Sequence, residues 1–130
     1  MKDIENLEDI KIFVDGFYTK IREDEMLAPV FAMRIENDNW EKHLNRMYNF
    51  WNTVLFPART YKGNPFSKHM TLPIDKRHFA QWLDLFNKTI DEHFKGDMAE
   101  EAKNRAMKMA YLFQSKLEYL ANNPQMKPVM

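Results

Sequence analysis

Four histidines, at positions 43, 69, 78 and 93, are the nitrogen ligands of a chain that contains no cysteine. Without cysteine there is no disulfide framework, no thiolate nucleophile and no Cys-based zinc site. No two histidines stand as H-x-x-x-H or H-E-x-x-H, which removes the zinc hydrolases. His78 and His93 lie among charged neighbours near predicted helix ends and read as solvated caps. His43 and His69 keep different company. His43 shares a helical stripe with Met47, Phe50 and Val54, while His69 stands beside Met70 and Leu72 in a segment bracketed by Pro65 and Pro73. Taken singly, each reads as a partly buried histidine; taken together, with a loop and a short helix between them, they form a candidate site.

The elements that must position these residues are helices. Only 3 of 130 residues are Gly, far below the average usage of about 7%, which disfavours hairpin-rich folds and phosphate loops. Ile10, Phe13, Val14, Phe17, Tyr18 and Ile21 recur at helical spacing after Asn6, a predicted N-cap, with Asp15 and Gly16 as a possible division of that helix. Pro29 interrupts EMLAPVF and delivers Phe31 into a corner. Asp38 and Glu41 predict a helix start, and Trp40, Leu44, Met47, Trp51 and Val54 its apolar face up to Pro57. Residues 57 to 65 read as an extended loop, and FSKHMTL can form two helical turns at most. Asp75 caps the next helix, with the stripe Phe79, Trp82, Leu83, Phe86, Ile90 and Phe94 ending at Lys95 and Gly96. Asp97 and Glu100 open a last helix lined by Ala102, Ala106, Met109, Ala110, Phe113, Leu117 and Leu120, and residues 123–130 are expected to fray.

Composition bounds the function. Residues 1–130 suit one all-α domain. Nineteen basic and 19 acidic residues cancel, so the basic footprint of a nucleic-acid or anionic-membrane binder is absent. MKDIENLEDI is charged where a signal peptide is apolar, and no run of about eighteen apolar residues occurs. The expectation is a soluble cytoplasmic protein, monomeric or weakly dimeric. Aromatics at 14% and 10 Met suggest a bulky core or one wrapped around something large and flat.

The segments FYTKIREDEMLAPVF (17–31), WEKHLNRMYNFW (40–51), YKGNPFSKHMTLPI (61–74) and HFAQWLDLF (78–86) resemble the truncated haemoglobins, and among them group III. The resemblance runs from about residue 10 to about residue 120 and implies a two-over-two helical sandwich around haem. Haem asks for a neutral imidazole on iron, an apolar slot and cations at the rim. By the resemblance, His69 is the proximal ligand, while His78 matches a position outside the iron shell. Tyr18, His43 and Trp82 match the distal side, Phe31 wedges against the haem face, Met47 and Phe86 line the cavity, and Arg46 and Lys68 match positions that reach propionates. With no C-x-x-C-H to tether it, the expected cofactor is haem b.

The distal set has a chemical sense. A diatomic ligand that draws electron density from iron becomes a strong acceptor, and a phenol O–H or indole N–H in a dry pocket holds it. Several donors retain O2 rather than release it, which argues against bulk oxygen transport. Expected small ligands are O2, NO, CO or peroxide. Two readings compete: oxygen sensing or storage, and nitric oxide dioxygenase or peroxidase-type turnover fed by an unidentified reductant. A third, a cofactor-free helical interaction module, uses the same stripes as core.

Overall fold

The structure, a computed structural model, describes residues 1–35, 39–57 and 75–122. Five helices appear: α1 (Leu7–Glu23), α2 (Ala28–Arg34), α3 (Trp40–Leu55), α4 (Lys76–His93) and α5 (Asp97–Asn122), with no strand among the described residues. The segment carrying Lys68 and His69 and the tail 123–130 lie outside them.

α1 starts where Asn6 accepts the Asp9 amide at 3.0 Å, and Glu8 and Asp9 in its first turn oppose Lys20 and Arg22 in its last, matching the helix dipole. Its six-residue apolar stripe is buried throughout. The division expected at Gly16 does not occur. Gly16 instead lets α4 approach: a Cβ there would meet Thr89 Cγ2 at 3.1 Å. Thr89 is fully buried and returns its hydroxyl to the Leu85 carbonyl at 2.7 Å, so the crossing leaves that donor satisfied.

Pro29 lies in the first turn of α2, where its missing N–H has no intrahelical partner to lose. α3 is capped by Asn39, which accepts the Lys42 amide at 3.2 Å; the expected cap Asp38 falls outside the described residues. α4 opens with Asp75 in a capping box completed by His78.

α5 buries Ala99, Ala102, Ala106 and Ala110 against its neighbours, small side chains that allow close helix approach. Its N-terminus is capped from the far end of the sequence: Asp3 accepts the amides of Met98 and Ala99, each at 2.8 Å. Gly96 is held at φ 145°, and a Cβ on it would lie 2.5 Å from Asp3 Cγ, so both conformation and space require glycine. The Lys95 amide bonds the Lys2 carbonyl beside it. α1 packs on α3 and α4, α5 packs along α4 and touches α3, and α2 rests on α1. The core therefore lies where α1 crosses α3 and α4.

Candidate functional site

Phe17 and Tyr18 are adjacent on α1 and divide the interior between them. Phe17 sets its edge against Trp82 at 5.4 Å and against Phe86 at 5.3 Å between ring centroids. Tyr18 faces the other way, into a box of rings: His43 at 4.9 Å, Phe31 at 5.9 Å and Trp40 at 6.2 Å. These are edge-to-face contacts, the arrangement that ring quadrupoles favour. His43 also meets Phe31 at 6.4 Å and Trp40 at 6.1 Å, so the box joins α1, α2 and α3.

Tyr18 is 6% exposed. Burial raises its phenol above the ordinary tyrosine range, because a phenolate would lose its hydration there. The hydroxyl thus stays a donor at any ordinary pH.

The sequence-predicted residues divide into three sets. Tyr18, Phe31 and His43 meet directly. Trp82 joins them through Phe17 and is half-buried. Met47 is half-buried against the same core, and Phe86 is fully buried, its ring stacked on Trp82 at 5.8 Å and on Trp51 at 5.0 Å. Phe86 therefore sits beneath Trp82 as its support. Arg46 is exposed on α3, in an open groove of about 440 Å³ that it lines with Asn39, Glu41, Lys42, Asn45 and Asn49. His69 and Lys68 fall outside the described residues.

His78 is engaged at the α4 cap, where its Nδ1 accepts the Asp75 amide at 3.2 Å. The neighbouring Arg77 holds the Asp75 carboxyl well below the usual carboxylate range. His93 is exposed at the end of α4.

Two members of the box were not expected. Trp40 meets Tyr18 and His43, and the Arg22 guanidinium lies 4.7 Å from its ring centroid, covering it by a cation–π contact. Both were within reach of helical spacing: Trp40 is three residues before His43, and Arg22 four after Tyr18. A third, Gln81, donates to Asp24 Oδ1 at 2.6 Å and ties the α1–α2 turn to α4; fifty-seven residues separate the pair, and no local pattern announces it.

The chemistry of these groups fits haem. Aromatic and aliphatic walls suit a flat apolar macrocycle, the neutral Tyr18 phenol and the His43 imidazole are polar groups beside those walls, and Arg46 stands on an exposed flank of the same helix as His43.

Residues 3–116 match the family model of the bacterial-like globins. A group 3 truncated haemoglobin of Campylobacter jejuni is 32% identical over 115 residues, which cover 86% of this chain and 91% of that protein. The crystal structure of group III truncated haemoglobin from Campylobacter jejuni matches with a TM-score of 0.82, covering 90% of this chain and 95% of that one. The chain thus belongs to the bacterial-like globins as a group III truncated haemoglobin, a family whose members bind haem and, through it, small gaseous ligands.

Proposed function

We propose that the chain binds haem b through His69 and uses Tyr18, His43 and Trp82 to hold a diatomic ligand or peroxide for turnover of nitric oxide or peroxide. When bound, haem supplies an iron that takes up such ligands. Phe31, Met47 and Phe86 support its apolar faces, and Arg46 and Lys68 pair with its propionates. The roles of His69 and Lys68 rest on the resemblance of the segment KHMTLP; a noncovalent cofactor rests on the absence of cysteine.

The contact that carries this reading is Tyr18 against His43, 4.9 Å between ring centroids, with the phenol buried and neutral. A protonated phenol donates to a ligand without needing a proton from solvent. The rings of Phe31 and Trp40 limit the water that would compete for that donor. Trp82 brings a second donor, its indole N–H. Two donors on one acceptor slow its escape, which suits retention for reaction with nitric oxide, or polarisation of peroxide, better than delivery of O2. Turnover requires an external reductant.

Ligand kinetics test the proposal. A hydrogen bond to a strongly polarised acceptor contributes about 1.5–3 kcal/mol, so Tyr18→Phe and Trp82→Phe should each speed O2 dissociation by roughly tenfold to a hundredfold. Carbon monoxide, which accumulates less charge, should respond less. His69→Gly should lose the native ferrous spectrum and regain it with imidazole. Unchanged O2 dissociation in both aromatic variants would leave Tyr18 and Trp82 as core residues and remove the case for oxidative turnover.

A further inference from the structure

Trp82, on the distal side, does not stand alone. Its ring lies nearly parallel to Phe86, 14° between planes at 5.8 Å, and Phe86 lies nearly parallel to Trp51, 22° at 5.0 Å. Phe86 and Trp51 are 0% and 4% exposed, so this column is dry along its inner length. One turn before Trp51 on α3 is Tyr48, at a spacing that puts Cβ atoms about 5–6 Å apart. Tyr48 is half-buried at the surface and donates its phenol hydrogen to Asp15 of α1.

Indole and phenol are the side chains most easily oxidised by one electron among those that neither bind metal nor contain sulfur. A line of them from a haem pocket to the surface has a use beyond packing. We propose that Trp82, Phe86, Trp51 and Tyr48 conduct an oxidising equivalent outward from the haem pocket, ending as a neutral tyrosyl radical at Tyr48 with its proton on Asp15. This rests on the proposed peroxide reactivity.

Reducing hydrogen peroxide to two waters takes two electrons and two protons. Tyr48 supplies both electrons, one at a time, and an external one-electron donor re-reduces it after each. Trp82 and Trp51 are each oxidised and re-reduced in passing, with Phe86 as the apolar bridge, and both protons taken up by peroxide come from solvent. The O–H of Tyr48 is the bond that breaks, its hydrogen passing to Asp15 as a proton. A one-electron donor such as ascorbate then restores the phenol as Asp15 returns that proton.

The local charges fit this ending. Burial and the Asp15 bond push the Tyr48 phenol up to about 12, so the resting chain keeps its proton on oxygen. Lys11 Nζ lies 5.7 Å from the ring centroid and opposes any positive charge on the ring. Oxidation is therefore tied to departure of the proton, for which Asp15 is in place. Tyr18, by contrast, has no carboxylate bonded to its phenol among the described residues and is a poor terminus.

The test mixes ferric holoprotein with one equivalent of hydrogen peroxide and a nitroso spin trap, with freeze-quench electron paramagnetic resonance and peptide mapping of the adduct. Wild type should place the adduct on Tyr48. Tyr48→Phe, a surface change, should lose it and shift modification inward to Trp51 and Trp82; Asp15→Asn should weaken the tyrosyl signal. Trp51→Phe, checked for folding by its melting curve, should also deplete the Tyr48 adduct. Peroxide consumed without a Tyr48 adduct, or an adduct unchanged in Trp51→Phe, overturns the route and leaves the peroxide reading intact. Peroxide left unconsumed overturns both.

Discussion

Two regions of this chain solve the same problem, holding helices together, by opposite means. Around Phe17 and Tyr18 the helices α1, α3 and α4 meet through rings, with Phe13 edge-on to Trp51 at 5.6 Å and to Phe86 at 5.7 Å. At the other end, the N-terminal segment clasps α5 through charge. Asp3 caps two amides, while Asp9, 3% exposed, accepts the Lys2 ammonium at 2.9 Å and the Glu5 amide at 2.9 Å. The ring cluster is held by apolar contact between rings; the clasp depends on two carboxylates staying ionised, so the acid sensitivity contributed by Asp3 and Asp9 is placed at the N-terminal segment.

The largest effect should come from removing a ring. Phe86 is 0% exposed between Trp51 and Trp82, and Phe→Ala in such a site costs about 3–5 kcal/mol. Denaturant unfolding of Phe86→Ala should show that loss. Ligand dissociation should quicken as well, because Trp82 loses the ring it stacks on. A stable variant with a slow, unchanged off-rate would mean the column neither supports the core nor orients Trp82.

The clasp should respond by less and should respond to pH. Asp3→Ala removes an N-cap made in trans, worth about 0.5–2 kcal/mol. Burial alone would raise the Asp3 carboxyl, but bonds from the amides of Met98, Ile4 and Ala99 outweigh it, and the group is lowered from the ordinary 3.8. A carboxyl lowered on folding stabilises fully above its unfolded value and loses that stabilisation as pH falls towards its folded one. Asp9 is lowered likewise, its burial outweighed by Lys2 and the Glu5 amide. Denaturation of wild type and Asp3→Ala should thus differ at pH 7, and the gap should shrink as pH falls below about 4. A gap that does not shrink in acid would show that the cap acts through shape, not charge.

The same division decides what the sequence could reveal. The stripe from Ile10 to Ile21, the cap at Asn6, the start of α4 at Asp75 and the alanine line of α5 are local patterns, and each was legible. Tyr18, Phe31 and His43 meet because helical phase puts them on inward faces. Gly16 was misread as a break because its reason lies across the core at Thr89. The Asp3 cap was invisible for the same reason, Met98 standing 95 positions after Asp3. Long-range polar contacts leave no periodic trace, since one carboxylate and one amide can pair from any two places in a chain.

The smallest expected effect lies where the two designs meet. Asp24 closes α1 and starts the next turn, its Oδ2 accepting the amides of Met26 at 3.1 Å and Leu27 at 2.9 Å, while Oδ1 takes the Gln81 side-chain amide. Gln81→Ala removes one bond from a part-buried pair, about 0.5–1.5 kcal/mol, partly offset by the better helix propensity of alanine. Asp24→Ala should cost more, because the turn amides are orphaned too. In a double-mutant cycle the coupling should equal most of the Gln81 effect, since Gln81 acts through Asp24 alone, whereas Asp24 has other partners. Additive losses would mean that Gln81 stabilises α4 by itself, and that the α1–α2 turn leading to Phe31 is held to the Trp82 helix by the rings without a polar tie.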